Sequence, residues 1–283
     1  MTPTTLRIDW IECQDLVSER LESFFSEKEW LAKPYGRHYA ALWASARDSA
    51  SGGKKFRPAL VGNAYRHLGG RDDELAVAVA TAFELLHTAF LMHDDVIDDD
   101  LFRRGAPNVV GRFTSDAEDR GVSGADARGW GEASAILAGD LLIHAAGSLI
   151  ARMDVDANTR ISLLDLVDES LFVTVAGELA DVAFSTSVQA PVLSEVLDMT
   201  QWKTAHYSFQ APLQAAAILA GADREVHQML GAFGAQIGVA FQLRDDILGM
   251  FGNEDATGKS WLSDIDAGKI TPLMFYAKQM SPT

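Results

Sequence analysis

Five aspartates within seven residues, at positions 94–100, constrain this chain more than any other feature of its sequence. They follow a run from Leu75 to Met92 that consists almost wholly of Ala, Val, Leu and Phe, broken only by threonines, Glu84 and His87. Such a run is typical of a buried helix. Carboxylates on a buried helix cost on the order of several kcal/mol for each unpaired ion. The pattern therefore predicts a bound cation at the end of this helix.

The spacing of the aspartates suits a hard cation. Asp94 and Asp98 are four residues apart and share one helical face, with Asp95 one step round. Mg²⁺ usually takes only one or two protein carboxylates and completes its shell with water and substrate phosphates. A solvated acidic face is the alternative, and the apolar helix that carries these residues argues against it.

Basic residues surround the predicted cation site. His87 lies two turns before Asp94 and points the same way, and Arg103 and Arg104 follow within two turns. Arginine matches phosphate geometry with a planar fork of donors. Acidic groups for a metal and arginines for phosphate within eleven residues predict a metal–phosphate site.

A second basic segment occupies residues 51–58, which read Ser-Gly-Gly-Lys-Lys-Phe-Arg-Pro. Its glycines end one helix and Pro58 fits the first turn of the next. Lys54, Lys55 and Arg57 stand at that helix start, where free backbone N–H groups also favour anions. The segment predicts either an anion cradle or an ordinary solvated basic loop.

A second acidic pair, Asp245 and Asp246, ends another apolar stretch, with Gln242 three and four residues earlier on the same side. Two Gly-Lys pairs follow, ending in Lys259 and Lys269. Gly-Lys pairs are weak signals alone, but here they would place ammonium groups near the same cavity.

Between the two aspartate motifs, Lys203 stands in an apolar neighbourhood that includes Trp202 and needs an anion. Asp198 or a substrate phosphate could supply it. Glu178 and Asp181 form a further acidic pair on an apolar stretch.

Composition narrows the class of protein. The net charge of −16, from 24 basic against 40 acidic residues, argues against a nucleic-acid partner and against docking on anionic lipid. Cys13 is the only cysteine, which excludes a disulfide framework within one chain. The first eight residues lack a secretory pattern, and no uninterrupted apolar run of about 18 residues occurs. We expect a soluble, cytoplasmic protein with no stable membrane insertion.

Periodicity predicts one all-α domain over residues 1–283. Strand signals are poor throughout, and Gly105 to Gly131 is the best candidate for a long loop or lid. Two amphipathic helices are expected between Asp9 and Ser45, split near Pro34. Further helices are predicted at 58–68, 73–100, 131–152, 159–184, 192–220, 224–252 and 272–280.

Taken in order, these motifs resemble the trans-isoprenyl diphosphate synthases, the polyprenyl synthetase family, from about Gly52 to Thr271. Each motif is moderate evidence, and their order and spacing together are highly specific. The matching residues are the segment 52–58, Glu84-Leu85-Leu86-His87, the motif 94–98, Arg103-Arg104-Gly105, Gly139-Asp140, Lys203-Thr204 and the motif 241–246.

The resemblance implies a class I terpenoid synthase fold, an antiparallel helical bundle around a deep central cavity, usually as a homodimer with three Mg²⁺ ions. Asp94 and Asp98 would hold two ions and Asp245 the third, while Asp95 and Asp246 would shape the field around them. The substrates would be isopentenyl diphosphate and an allylic diphosphate. The residues that would bind the allylic diphosphate are Arg103, Lys203 and Lys259, and those for isopentenyl diphosphate are Lys54, Arg57, His87 and Arg104. Lys55, which stands where the family usually has arginine, and Lys269 would also bind substrate.

By the same analogy, diphosphate leaves the allylic carbon, the isopentenyl double bond attacks the carbocation, and proton loss restores an alkene. Thr204 and Gln242 would stabilise the cation by their dipoles. Phe90 and Ala89, four and five residues before Asp94, would set chain length, since one helical turn of about 5.4 Å resembles one isoprene unit. We expect an all-trans C20 product over C15, and Ala89→Phe to shorten it.

Besides Lys55, the chain departs from the family pattern in three ways. Gly249 replaces a third aspartate in the second motif, Glu178 replaces a glutamine, and the family's further C-terminal helices are not expected within 283 residues. The alternative functions are a class I terpene cyclase, a His-Asp phosphohydrolase suggested by His93-Asp94, and a non-catalytic regulatory subunit. A cyclase typically has an Asn/Ser/Glu triad in place of the second aspartate pair, and this chain has no such triad. A hydrolase of that type would require further histidine ligands, and the other histidines lack such spacing.

Overall fold

The computed structural model describes residues 10–251 and 268–280, and these residues are almost entirely helical. The all-α prediction is therefore confirmed. In chain order the helices are α1 Trp10–Ala32, a 3₁₀ turn Lys33–Tyr35, α2 Arg37–Ala50, α3 Phe56–His67, α4 Asp73–Ile97, α5 Val109–Glu118, α6 Ala125–Ala151, α7 Ala157–Ser185, α8 Leu193–Thr200, a π-helix Gln201–Gln210, α9 Ala211–Leu219, α10 Arg224–Phe251 and α11 Pro272–Met280.

Helix α4 is the centre of the bundle. The Asp72 side chain caps its first turn by accepting from the Leu75 N–H, and Asp73 and Glu74 favour the positive helix start. Most of its residues are buried, and it packs against α1, α3 and α6. Its C-terminal end brings the first aspartate motif from the core to the edge of the bundle.

The aspartate helix is shorter than its sequence suggests. It ends at Ile97, Asp98 is its C-cap, and Asp99 adopts a left-handed backbone at φ 60°. Asp99 is held by an ion pair with Arg128 of α6. The other predicted helices that lie in the described residues match to within a few residues, except that 131–152 begins earlier and 192–220 divides into α8, the π-helix and α9.

The predicted loop at 105–131 is wrong, because it contains α5 and the first turns of α6. The Asn108 side chain caps α5 by accepting from the Gly111 N–H. Val109, Val110 and Phe113 are buried against the core. This apolar face outweighs a polar composition that is rich in Gly, Asp and Arg.

A two-stranded hairpin, β1 Phe102–Arg103 and β2 Ala106–Pro107, is also absent from the sequence prediction. Arg104 and Gly105 form its turn with φ of 54° and 76°. Two consecutive positive φ values define the turn that suits the twist of antiparallel strands. The ladder has only two residue pairs, too few for alternation to reveal it in the sequence.

The π-helix is enclosed by close helix packing. A Cβ at Gly177 of α7 would lie 2.2 Å from the backbone nitrogen of Lys203, and one at Gly238 of α10 would lie 2.5 Å from the Ala205 side chain. Only glycine permits such approach. The two glycines therefore bring α7 and α10 against the segment that carries Lys203.

Helices α4 and α6 are long and apolar enough to cross a membrane by length and composition alone. The most apolar window of α4 is 78% buried inside the bundle and that of α6 is 44% buried. Burial of this extent identifies α4 as a core helix.

Candidate active site

The carboxylates at the end of α4 contact the nearby Arg103 and two lysines, Lys203 and Lys269, from distant parts of the chain. Arg103 Nη2 lies 3.0 Å from Asp94 Oδ2, and its Nε donates to Asp95 Oδ1 at 2.7 Å. Lys269 pairs with Asp98 across 171 residues. Asp95 is only 3% exposed. The motif predicted from sequence is therefore a partly buried cluster of alternating charge.

Lys203 is the centre of this cluster. Its Nζ lies 2.6 Å from Asp181 Oδ2, 3.0 Å from Glu178 Oε2 and 3.2 Å from Asp94 Oδ1. Burial lowers the pKa of Lys203, but the three carboxylates outweigh burial and raise that pKa. In the structure these acidic residues, and not Asp198, supply the anions that the Lys203 ammonium requires.

The aspartates respond unequally to this surrounding. Burial raises the pKa of Asp95 to about 6, although Arg103 opposes the shift. Burial and the neighbouring Asp94 also raise the pKa of Asp98. For Asp94, Lys203, Lys269 and Arg103 together outweigh burial and lower the pKa. Of these three aspartates, Asp94 is thus the one that most readily stays ionised.

These residues fit Mg²⁺ bound together with a phosphate ligand. Asp94 and Asp98 offer oxygen donors one turn apart, where buried negative charge already attracts Lys203 and Lys269. Among residues 10–251 and 268–280, no three His, Cys, Asp or Glu side chains form a ready metal cage. Mg²⁺ commonly uses one or two carboxylates and takes its other ligands from water and substrate.

The two arginines of the hairpin, Arg103 of β1 and Arg104 of the turn, contact different parts of the molecule. Arg103 reaches the aspartates of α4, whereas Arg104 Nη1 donates to the Ser51 carbonyl at 3.1 Å. A Cβ at Gly53 would lie 3.0 Å from Arg104 Nη2. Gly53, at φ 74°, therefore leaves space for the guanidinium against the 51–55 loop.

The 51–55 loop distributes its two lysines differently. Lys55 begins α3 in a left-handed conformation, and its Nζ donates to the Ala50 carbonyl at 3.1 Å and lies 4.0 Å from Glu84. Lys54 is exposed, and its charge counteracts the burial that raises the pKa of Asp245. The charge of Lys54 in the basic segment therefore acts on Asp245 of the second aspartate motif.

Arg57 is buried at 6% exposure and faces neutral groups. Its Nη2 donates to Ser208 Oγ at 2.7 Å and to Tyr207 Oη at 3.2 Å, and its guanidinium lies over the Phe56 and Tyr207 rings. Its buried Nε has no partner in the described part of the chain. His87 Nδ1 meets the same Tyr207 hydroxyl at 3.2 Å.

The second motif lies on α10. Gln242 Nε2 donates to Asp246 Oδ1 at 2.9 Å, so the two share a face as predicted. Asp246 is buried, whereas Asp245 is exposed. Thr204 is half-buried in the π-helix beside Lys203. Lys259 lies outside the described residues.

The two residues assigned to chain length occupy different environments. Ala89 is fully buried in the packed core, while Phe90 is partly exposed and meets Tyr207 edge to face at 4.9 Å. Phe90 is therefore the side chain of the pair with access to a ligand.

The sequence prediction omitted Tyr207 and Ser208 as site residues. They are 150 and 151 residues from Arg57, and only folding brings them together. One signal was available, since Tyr207 is four residues after Lys203 and so lies on a similar helical face.

A model of the polyprenyl synthetase family matches residues 41–283. The farnesyl diphosphate synthase of Mycobacterium tuberculosis is 36% identical over 219 residues, 77% of this chain and 55% of that protein. The geranylfarnesyl diphosphate synthase of Aeropyrum pernix is 34% identical over 238 residues, 83% and 69% of the two chains. A crystal structure of geranylgeranyl pyrophosphate synthase from Corynebacterium glutamicum, complexed with isoprenyl diphosphate and magnesium, superposes with a TM-score of 0.88 at 28% identity, covering 97% and 79% of the chains.

The described residues form a helical bundle with an aspartate motif toward the end of each of two long helices and with basic side chains beside the first motif. The chain belongs to the polyprenyl synthetase family. It spans little more than half the length of the mycobacterial relative.

Proposed function

We propose that this protein condenses isopentenyl diphosphate with an allylic diphosphate, in the presence of Mg²⁺, to give a short-chain all-trans prenyl diphosphate. The observation that carries the proposal is the convergence of Asp94, Asp98, Arg103, Lys203 and Lys269 at one end of α4. Carboxylates for a metal and cations for a diphosphate are needed together when an allylic diphosphate ionises.

Three Mg²⁺ ions complete the site in this proposal, two at Asp94 and Asp98 and one at Asp245. Bound there with diphosphate, they would supply positive charge to the leaving group. Arg103 and Lys203 bind the allylic diphosphate, and each has donors within reach of Asp94 that can turn to phosphate oxygens. Lys259 would add to this group.

Isopentenyl diphosphate binds to the second basic group, formed by Lys54, Arg57, His87 and Arg104. The charges of Lys54, Arg57 and Arg104 are not neutralised by adjacent carboxylates to the extent seen at α4, and Arg57 Nε, which has no partner among the described residues, offers a buried donor. Phe90 and the neighbouring aromatic rings keep water from the reacting carbons. The Thr204 and Gln242 dipoles face the developing cation.

We propose geranylgeranyl diphosphate, C20, as the main product, with farnesyl diphosphate, C15, as the alternative. Relatives bear the names of farnesyl, geranylgeranyl and geranylfarnesyl synthases, so chain length is specific to each protein. Phe90 lies one turn before Asp94, where its ring would limit the growing tail.

The test is incubation with Mg²⁺, isopentenyl diphosphate and each allylic diphosphate in turn, followed by chromatography of the products. A longer prenyl diphosphate is the expected result. A hydrocarbon would identify a cyclase, free phosphate alone a hydrolase, and absence of any product would favour a regulatory subunit. Omission of Mg²⁺ should abolish the product.

We further propose that the protein works as a homodimer in the cytoplasm, through a face made by α6 and α7. The two helices pack together and expose large apolar side chains, at Ile136, Leu137, Phe172, Val175 and Leu179. Exposed apolar side chains along one helical face, as at positions 172, 175 and 179 of α7, mark an interaction surface. No nucleic acid or membrane partner is proposed, in keeping with the net charge of −16.

Light scattering coupled to size exclusion tests the dimer. Phe172→Glu should halve the measured mass, because a carboxylate at a side chain that is 79% exposed in the monomer would be buried in the interface. Phe233→Glu, at an exposed apolar position of α10, is the matched control and should leave the mass unchanged. Equal masses for Phe172→Glu and the unaltered protein would exclude this face.

A further inference from the structure

The Tyr207 hydroxyl joins two residues that belong to different helices. It lies 3.2 Å from Arg57 Nη2 of α3 and 3.2 Å from His87 Nδ1 of α4. Its ring stacks on that of His87 with centroids 5.9 Å apart. Tyr207 is buried at 7% exposure, so its hydroxyl depends on these contacts for hydrogen bonds.

The direction of each hydrogen bond follows from the donors available. A guanidinium carries only donors, so Arg57 donates and the Tyr207 oxygen accepts. Among the described contacts of the hydroxyl, His87 Nδ1 is the only acceptor for its proton, so the hydroxyl donates to that nitrogen. An Nδ1 that accepts carries no proton, and a neutral imidazole must then carry its proton on Nε2.

We propose that Tyr207 is a positioning residue that fixes His87 in its Nε2–H tautomer, so that His87 donates to the diphosphate of the substrate bound by Arg57. This inference rests on the proposed function, which places isopentenyl diphosphate at these residues. Substrate recognition would then run through an ordered sequence of donors, from Arg57 to Tyr207, from Tyr207 to His87 and from His87 to phosphate.

The charge around His87 supports a neutral ring. Burial lowers the pKa of His87 well below its usual value, and the positive charges of Arg57, Arg104, Arg103 and Lys55 lower it further. An imidazolium would carry protons on both nitrogens, and the Tyr207 hydroxyl would have no acceptor there. A neutral imidazole carries its proton on either Nδ1 or Nε2, and donation from the Tyr207 hydroxyl to Nδ1 favours the Nε2–H tautomer.

The π-helix explains why one segment supplies both partners of Arg57. A π-helix has more residues per turn than an α-helix, so successive residues are rotated less from one another, and the adjacent Tyr207 and Ser208 both reach Arg57 of α3. Ser208 Oγ accepts from Arg57 Nη2 at 2.7 Å but is not among the contacts of His87. Ser208 therefore shares the first role of Tyr207 without the second, which makes it a matched control.

The experiment compares Tyr207→Phe with Ser208→Ala. Tyr207→Phe retains the ring contacts with His87 and Phe90 and removes only the hydroxyl. It should raise KM for isopentenyl diphosphate about tenfold, which is the size of the one hydrogen bond from His87 to phosphate that the wrong tautomer would lose. The kcat and the KM for the allylic substrate should stay within about twofold of the unaltered enzyme. The ¹⁵N spectrum should show His87 changing from Nε2–H to a mixture of tautomers. Ser208→Ala should leave that spectrum unchanged.

A double-mutant cycle separates tautomer choice from general packing. A glutamine at position 87 presents an amide N–H whatever its neighbour, so Tyr207→Phe should change KM by about twofold or less in a His87→Gln background. An equal rise in both backgrounds would overturn the proposal. So would a His87 spectrum that Tyr207→Phe leaves unaltered.

Failure of the proposed function would be visible separately. An unaltered protein that forms no prenyl diphosphate would refute that function, while its ¹⁵N spectrum still reports the tautomer. Inorganic pyrophosphate is then the probe for binding, and its Kd should rise about tenfold in Tyr207→Phe. A Kd that does not change would remove the link between Tyr207 and phosphate recognition.

Discussion

Two basic clusters of this molecule differ in what holds their cations. At the end of α4, Lys203 contacts three carboxylates and Arg103 contacts two. At the start of α3, Arg57 contacts two hydroxyls and two aromatic rings, and none of its described partners is charged. Carboxylates outnumber cations in the first cluster, whereas the second retains net positive charge.

The difference implies two ways of binding a diphosphate. A diphosphate at the α4 cluster would compete with carboxylates for Lys203 and Arg103, unless a metal ion takes over the carboxylates. A diphosphate at Arg57 meets a charge whose described partners are all neutral, so it can bind without a metal. We therefore expect metal dependence at the first cluster and metal independence at the second.

Removing Asp94 should have the largest effect, because it contacts both Arg103 and Lys203 of the first cluster. Asp94→Ala should reduce turnover by about a thousandfold or more, since charge stabilisation of the leaving group is lost. The fold should persist, because Asp181, Glu178 and Asp95 continue to pair with Lys203 and Arg103. Steady-state kinetics and thermal unfolding measure the two effects.

Asp119→Ala, at an exposed position after α5, is the control and should keep full turnover. Near-normal turnover of Asp94→Ala would contradict the role of the first cluster. A collapse of the melting temperature would show instead that Asp94 is needed mainly for folding.

Arg57→Lys tests the second cluster. Lysine keeps the charge but loses the planar fork that spans Tyr207 and Ser208. KM for isopentenyl diphosphate should rise roughly thirtyfold, with binding of the allylic substrate little changed. Arg152→Lys, at an exposed helix end, provides the comparison. An Mg²⁺-dependent loss of affinity for both substrates would erase the distinction between the clusters.

The first cluster was far easier to predict from sequence than the second. Asp94 and Asp98 share a face through local helical geometry, and an apolar helix with charges at its end shows that those charges need partners. The partners of Arg57 are neutral and 150 residues away, and nothing in a Tyr-Ser pair marks them. Likewise, α5 was mistaken for loop because its buried face is short and its remaining residues are polar.

Phe90, the side chain proposed to limit the growing tail, contacts Tyr207 of the second cluster. Phe90→Ala should lengthen the main product by at least one isoprene unit, because the ring no longer limits the tail, while KM for isopentenyl diphosphate changes by about threefold or less. Product chromatography and kinetics decide both. Ala89→Phe should shorten the product only at a cost in stability, since Ala89 has no free space around it. An unchanged product in Phe90→Ala would place the wall elsewhere.

The smallest expected effect concerns stability at acid pH. Burial and nearby cations lower the pKa of His87 in the folded protein, so below about pH 6.5 the unfolded chain binds a proton that the folded chain does not. Stability should therefore fall as pH falls through 6.5. Between pH 7.5 and 5.5 the loss from this residue is about 1 kcal/mol.

Urea unfolding at both pH values should show a loss smaller by that amount in His87→Gln than in the unaltered protein. His67→Gln, at an exposed position of α3, is the control. An equal acid-side loss in His87→Gln and the unaltered protein would mean that the second cluster does not impose its positive charge on His87.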